Sequence, residues 1–307
     1  MIDIYEMQIF LAAAETGNFS EAGRRLQMSQ PAISMQIRSL ENRLGVELFH
    51  RAGRHIKLSE VGHTLVPMAR DLVNHSIRIQ ESIDSLQGEV VGILKLACST
   101  TAGKYILPKL ISGFLDLHPS VRVACAVVTR GMAIDMMLNG EAHLAITSLR
   151  EPYKEIEYRH FTGDAVVLIV PPDHDWAQRE FITVKELHEG TFITREEGSG
   201  TCVIVSHALT EHDVSMKDLP VVMTLGNSEA IHMAVAEGIG VAFISRLAAS
   251  EGIITGRVVE VPVKGLEVSQ QLYMARISNR AATSAQSAFW DYVYSPENQH
   301  LLESEML

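Results

Sequence analysis

Residues 12–62 read AAAETGNFSEAGRRLQMSQPAISMQIRSLENRLGVELFHRAGRHIKLSEVG, and within them Ser29–Leu44, SQPAISMQIRSLENRL, decides the fold of the N-terminal part. Ile33, Ile37, Leu40 and Leu44 stand at i, i+4, i+7 and i+11, one continuous apolar stripe of a helix. Ser29 is its natural N-cap, and Pro31 is tolerated in the first turn, where a missing N–H costs little. Gly45 is a C-terminal stop. The stripe leaves Gln30, Ser34, Met35 and Arg38 on other faces. Upstream, Met7, Phe10, Leu11 and Ala14 predict a helix over about residues 4–15. Gly17-Asn18 ends it, and Ser20 is expected to cap a short second helix through Leu26, with Ala22 and Leu26 facing in. After a break at Gln27-Met28, the third helix completes a helix-turn-helix. A recognition helix enters the major groove by its N-terminal end, which brings Gln30 and Ser34 to base edges. Every three-helix unit has a polar outer face, so this spacing leaves DNA binding and a plain helical unit both open.

The next residues favour DNA. Leu48-Phe49 starts a strand, and Arg51, Arg54 and Lys57 recur every third residue around Gly53, with no acidic residue in the loop. A short basic hairpin beside a helix-turn-helix is a wing, suited to phosphate or minor-groove contact. The formal net charge is −11, yet residues 1–58 hold 7 Lys and Arg against 6 Asp and Glu, while the remaining 249 hold 19 against 31. A basic patch on an acidic body is the footprint of a protein that meets phosphate through one domain only.

From Ser59 to Leu86 breakers are few, and Pro67 is expected to bend the helix that results. Leu65, Ala69, Leu72, Ser76, Ile79, Ile83 and Leu86 form a 4-3-4-3-4-3 seam, the period of a helix that pairs with another. A helix lying on its own domain is the alternative, and Ala69 and Ser76 leave room for a short antiparallel contact. Gly88 and Gly92 bracket the exit.

The C-terminal part alternates strands and helices. ILKLACS, RVACAVVT and HLAITS are strands separated by the helices KYILPKLISGFLDLHP and MAIDMMLNGE, a βαβαβ order that implies a mostly parallel sheet. AVVLIVPP, TFITRE and GIGVAFIS add further strands, the last after a helix near Glu229–Glu237. Ligands of open α/β sheets sit beyond the carboxyl ends of strands, at helix N-termini that attract anions. Those ends hold Ser99, Thr100 and Thr101; Thr129 and Arg130; Thr147 and Ser148; Thr194 and Arg195 with Ser199 and Thr201; and Asn227 and Ser228. One hydroxyl at one turn is an ordinary cap, but the recurrence across independent turns points to a ligand cleft.

The chain resembles the LysR-type transcription regulators over nearly its whole length. TGNFSEA, SQPAIS, IRSLENRLGVELF and the R-x-x-R wing occur in the family's order, followed by STTAGKYILPKLISGF, LNGEAHLAI, REEGSGT and EGIGVAFIS. The resemblance implies an α/β protein: a winged helix-turn-helix over 1–58, a linker and dimerisation helix over 59–88, and a periplasmic-binding-protein-like effector domain over 92–307. Its first lobe is 92–162 with 267–307, and its second is 163–266. By the same resemblance Gln30, Pro31 and Ser34 lie against bases, Arg51 enters the minor groove and Arg54 meets phosphate, with Ser29, Met35 and Arg38 completing the DNA set. Met35 departs from the basic or hydroxyl residue common at its position, which bears on operator preference. Ser59 replaces the usual Thr and keeps the capping oxygen. The effector set is Ser99, Thr100, Thr101, Thr129, Arg130, Thr147, Arg195, Ser199, Thr201 and Asn227, with Arg130 and Arg195 expected to pair with a small anion. Expected partners are a double-stranded operator, further copies of the chain in dimers and tetramers, and RNA polymerase if the protein activates. REEGSGT resembles the subgroup regulating cysteine, sulfur or carbon-fixation genes.

Other functions fit less well. The 13 histidines form no HExxH, His207 and His212 are five apart, no GxSxG elbow or P-loop occurs, and no cofactor or metal is expected. No apolar run approaches the roughly 20 residues that span a bilayer, and the N-terminus has no basic signal region, so a cytoplasmic, membrane-free location is expected. Cys98, Cys125 and Cys202 make no CxxC and are expected to be buried thiols. Cys202 would serve a thiol switch if the start of a helix lowered its pKa, though no resolving cysteine follows it.

Overall fold

The computed structural model describes residues 2–52, 55–85 and 89–298. The chain divides into two compact units, the first Met1–Val90 with the short segments Asn139–Glu141 and Ala282–Ser284, the second the rest. The first contains helices α1 (Ile4–Thr16), α2 (Phe19–Leu26) and α3 (Gln30–Leu44), strands β1 (Phe49–Ala52) and β2 (His55–Leu58), and the long helix α4 (Glu60–Ser85). Asp3 and Glu6 make a reciprocal capping box at the start of α1. α2 is capped by Asn18 and not by the expected Ser20: its side-chain oxygen accepts the Ser20 N–H at 2.8 Å and the Glu21 N–H at 3.3 Å. The residue that reads as a break after α1 therefore starts α2. Ser29 caps α3 as expected, accepting the Ala32 N–H at 3.3 Å.

Met7, Phe10, Ala22, Ile33, Ile37, Leu40 and Leu48 form the core of this unit, with Phe10 and Phe19 packed on Phe49. The wing is an antiparallel pair in which His50 faces Lys57 and Arg51 faces Ile56. Ile56 donates its N–H to Gly17 O at 2.9 Å, which ties the wing to the turn after α1. Glu41 reaches back from α3 to accept the N–H groups of Leu48 and Phe49 at 2.8 and 3.2 Å. Ser59 precedes α4, accepting the Gly62 N–H at 2.9 Å while donating to Glu47 O at 2.6 Å. α4 runs as one helix through Pro67. Its seam divides: Leu65 and Ala69 pack into the core of their own unit, whereas Leu72, Ile79 and Ile83 are 38%, 53% and 51% exposed. The start of the seam thus lies on its own unit and the later positions are exposed, and Leu86 lies outside the described residues.

The second unit is built on a mixed sheet. β3 (Gly92–Cys98), β4 (Val121–Val127) and β5 (Leu144–Thr147) are parallel, with β3 between the other two, as the βαβαβ order requires. Helices α5 (Leu107–Leu117) and α6 (Arg130–Leu138) make the crossovers. α5 is preceded by one π-helical turn, Ala102–Ile106, at the corner that reads as Thr-rich loop. Two long antiparallel strands follow, β6 (Ile156–Val170) and, near the end of the chain, β13 (Val268–Ile277), paired along their length with an irregularity at Leu272/Tyr273. Between them in sequence come β7 (Ile182–Thr183), β8 (Phe192–Arg195), α7 (Gly200–Thr210), β9 (Val221–Leu225), α8 (Ser228–Ala236), β10 (Ala242–Ser245), α9 (Arg246–Ile254), β11 (Val259–Val261) and β12 (Val263–Lys264). β8 and β9 are parallel, and β10 and β11 join the far end of β6. α10 (Ser284–Val293) closes the unit. Separate apolar cores form at the two ends of the β6/β13 pair: Ala97, Ala133, Ile134 and Met137 at one, Phe192, Val205, Leu209 and Phe243 at the other. This is the two-lobed plan, with the long strands as its connection.

Candidate DNA interface and effector cleft

The outer face of α3 presents Gln30, Pro31 and Arg38 in the open, Met35 at 70% exposure and Ser34 half-buried, with exposed Ser29 at the cap. Burial of Ile33, Ile37 and Leu40 fixes this orientation. Arg24, Arg25 and Arg43 are tied to Glu21, Glu15 and Glu6. Arg38 and Lys57 form no ion pair among the described residues, so their charge is available to phosphate. The backbone of Arg51 lies in β1, its side chain is outside the description, and Arg54 falls outside the described residues altogether. Behind this face, Glu15 accepts from Arg70 at 3.0 Å and also pairs with Arg25. Burial alone would raise its pKa, but the two guanidiniums outweigh burial and hold it below the usual value.

In the second unit a cleft of about 400 Å³ collects Ser99, Thr100, Thr101, Thr129, Arg130, Arg195, Ser199, Thr201 and Asn227. Nine of the ten effector candidates therefore line one cavity. The exception is Thr147: fully buried, it donates its hydroxyl to Leu149 O at 2.7 Å, while its neighbour Ser148 lines the cleft. Strand alternation explains the correction, because adjacent residues point to opposite faces.

Helix N-termini converge here. The turn before α5 begins after Thr101, α6 after Thr129, α7 after Ser199 and α8 after Asn227. Thr129 Oγ1 accepts the Met132 N–H at 3.4 Å, Ser199 Oγ the Cys202 N–H at 3.1 Å, and Asn227 Oδ1 the Glu229 N–H at 2.8 Å. Since their oxygens are engaged as caps, these side chains keep O–H or N–H groups to donate.

The two arginines do not enter this site as free cations. Arg195 makes a two-pronged pair with Glu196, both contacts at 2.8 Å, and donates to Ser228 Oγ at 2.8 Å. Arg130 pairs with Glu151 at 2.9 Å, leaving its Nε buried without an acceptor among the described residues. Neither acidic partner was singled out from sequence, although REE places Glu196 beside Arg195. Gln270 of β13, also missed, lines the cleft, and its Nε2 donates to Asp164 Oδ2 at 2.6 Å.

Of the three thiols only Cys98 is buried; Cys125 is exposed and Cys202 half-buried. Cys202 stands near the start of α7, but burial and the charges of Glu196 and Glu197 raise its pKa, opposite to what a thiol switch needs. Among the described residues no cluster has metal-ligand character, and no helix is long and apolar enough to cross a membrane.

Residues 4–63 match the bacterial regulatory helix-turn-helix protein, lysR family, and residues 87–295 match the LysR substrate binding domain. The chain belongs to the LysR family. It is 29% identical to the RuBisCO operon transcriptional regulator of Allochromatium vinosum, over 96% of each chain. Full-length CbnR complexed with its target DNA shares the fold at a TM-score of 0.69 and 21% identity, covering 95% of this chain and 99% of that one. The CcmR regulatory domain of Synechocystis PCC6803 in complex with 2-PG superposes at a TM-score of 0.60 with 28% identity, covering 66% of this chain and 95% of that one. This LysR protein is thus a DNA-binding transcription regulator with an effector-binding domain, and its relatives are regulators rather than enzymes.

Proposed function

We propose that this LysR protein reads a two-fold operator with Gln30, Pro31 and Ser34, steadied by Ser29, Met35, Arg38, Arg51 and Arg54, and is tuned by a small anion bound in the cleft. We take residues 1–58 as the DNA-binding domain, 59–88 as the pairing helix, and 92–162 with 267–307 and 163–266 as the lobes. The observation that carries the effector reading is the convergence of four helix N-termini on one 400 Å³ cavity. Backbone N–H groups at helix starts favour anions without any net charge on the protein. The exposed Leu72, Ile79 and Ile83 of α4 support pairing of two chains, and hence two recognition helices on DNA, with further assembly to a tetramer. Effector binding shifts the setting of the lobes and, through it, the spacing of the DNA-binding pairs and their access to RNA polymerase. It does so only as far as the effector prefers one setting. Similarity to RuBisCO-operon regulators supports a carbon-fixation target and a cytoplasmic location.

The test is fluorescence anisotropy on the DNA upstream of the protein's own gene against scrambled DNA at one salt concentration, with and without 2-PG. Preference for upstream DNA that is altered by 2-PG and lost in Gln30→Ala/Ser34→Ala supports both halves. Equal affinity for the two DNAs, unchanged by 2-PG, overturns specific, effector-tuned reading.

A further inference from the structure

Gln270 and Asp164 face each other across the antiparallel pair β6/β13, the two strands that connect the lobes. Both are almost fully buried, at 4% and 3% exposure, yet Gln270 also lines the effector cleft. A side-chain amide has two ends, and which end faces a ligand is decided by what holds the other. Here Nε2 donates to Asp164 Oδ2 at 2.6 Å, so Oε1 is the end left toward α7, 3.7 Å from where a Cβ on Gly200 would lie. Burial holds the Asp164 carboxyl above the usual carboxylate range, and the Ser245 hydroxyl, the Gln270 amide and the Leu247 N–H offset it only in part. Asp164 Oδ2 accepts the Gln270 amide, while Oδ1 is buried without a hydrogen-bond partner among the described residues, so this one bond holds the amide in its orientation.

We infer that Gln270 is a specificity-determining residue of the cleft, held by Asp164 as a positioning residue, and that it presents a fixed acceptor selecting an anion that also carries a hydroxyl or another hydrogen-bond donor. The inference rests on the cleft being the effector site. The surrounding caps and helix starts supply donors, which suit the anionic end of a ligand. A ligand consisting only of acceptors would leave Oε1 buried and unpaired when the lobes close on it. A buried acceptor without a partner is costly, whereas a ligand hydroxyl satisfies it.

The experiment is calorimetric titration of the full chain with pairs differing by one hydroxyl: malate against succinate, and 3-phosphoglycerate against the O-phosphate ester of 3-hydroxypropionate. The hydroxyl-bearing member of a pair that binds is expected to be at least about tenfold tighter in the wild type. Gln270→Met, similar in length but without the acceptor, is expected to erase that ratio. Gln270→Glu is expected to keep it, because a protonated Glu donates to Asp164 and leaves its carbonyl toward the cleft. Asp164→Ala, which releases the amide, is expected to shrink the ratio while the hydroxyl-free member binds as before. Thr129→Ala is expected to weaken both members of a pair alike and so reports on the cleft itself. Equal binding of both members, weakened by Thr129→Ala, leaves the cleft as the effector site and overturns the role of Gln270. A ratio that survives in Gln270→Met does the same. If no pair binds the wild type, both the class of ligand and the role of Gln270 fall.

Discussion

Replacing Gly62 with alanine sets two effects of opposite sign against each other. Gly62 lies in the first turn of α4, where alanine improves helix propensity by about 1 kcal/mol. The space argues the other way. A Cβ at this position would lie 2.3 Å from Leu48 O and 2.9 Å from Leu58 Cδ2, closer than carbon and oxygen atoms approach without something moving. The leucine methyl can turn aside, but the carbonyl cannot do so freely. Leu48 O accepts the Ser59 N–H at 2.9 Å, and the Leu48 N–H is held by Glu41 at 2.8 Å. Moving the carbonyl therefore strains the hydrogen bonds that join α3, the wing and α4. Overpacking costs about 1–3 kcal/mol, and loss of the Leu48–Ser59 bond adds about 0.5–1.5 kcal/mol. The expected net effect is a destabilisation of about 1–3 kcal/mol. If the first unit melts as its own transition, this lowers its midpoint by about 4–8 °C per kcal/mol. Scanning calorimetry of the full chain reads that transition, and operator anisotropy below it reads whether the wing has shifted. A variant that melts at or above the wild-type temperature, with unchanged operator affinity, would refute the idea that the close approach of α4 to Leu48 outweighs helix propensity.

Four other outcomes follow from the same geometry. Gln30→Ala with Ser34→Ala should cost about 1–3 kcal/mol per lost base contact on the operator and leave low-salt affinity for scrambled DNA intact; a uniform loss on both DNAs would assign these residues to phosphate. Ile79→Asp with Ile83→Asp should lower the assembly state measured by analytical ultracentrifugation, and an unchanged mass would remove α4 from the interface. Gly200→Ala would place a Cβ 1.9 Å from Ser148 Oγ and 2.8 Å from Ser148 Cβ, so effector affinity should fall about 5- to 150-fold and recover in combination with Ser148→Gly; no recovery would show that the clash lies elsewhere. The Thr183 amide and hydroxyl, with Arg179, pull the Glu186 carboxyl down to about 2 from its usual 4.5, so its contribution to stability is present above pH 4.5 and lost as pH falls toward 2; Glu186→Gln should flatten the acid limb of the stability curve there, and coincident curves would contradict the capping role.

The first unit was legible because each of its elements carries a local signal. The Ile33–Leu44 stripe, the Ser29 cap and the Gly17 and Gly45 stops each concern a few neighbouring residues. The one error, Ser20 for Asn18, arose because Asn18 ends one helix and begins the next. In the second unit Thr129, Ser199 and Asn227 were legible for the same reason, being caps of helices that follow at once. Gln270 was not. It stands in VSQQLYMARI, where two adjacent glutamines interrupt the alternation expected of a half-buried strand, and its inward orientation depends on Asp164, more than a hundred residues away. Glu151 and Glu196 were missed differently. An arginine near a cleft reads as an anion ligand, and only the folded geometry shows whether a carboxylate already occupies it.

That occupancy decides how the two binding functions respond to salt. Beyond residue 58 the chain holds 19 basic against 31 acidic residues, and the two cleft arginines are paired with Glu151 and Glu196. An anion approaching the cleft therefore gains little from long-range charge. On the proposed reading its binding energy comes from backbone N–H groups and capping side chains at short range, inside the roughly 8–10 Å over which physiological salt screens. On the same reading the DNA face works by the opposite means, through exposed Arg38 and Lys57 and an operator whose counterions are released on contact, so its affinity is expected to fall steeply as salt rises. Effector affinity is then nearly flat across the salt range in which DNA affinity collapses. A steep salt dependence of effector binding would instead require that Arg130 or Arg195 leave its glutamate on binding, which makes the same titration a direct measure of whether those ion pairs persist in the loaded state.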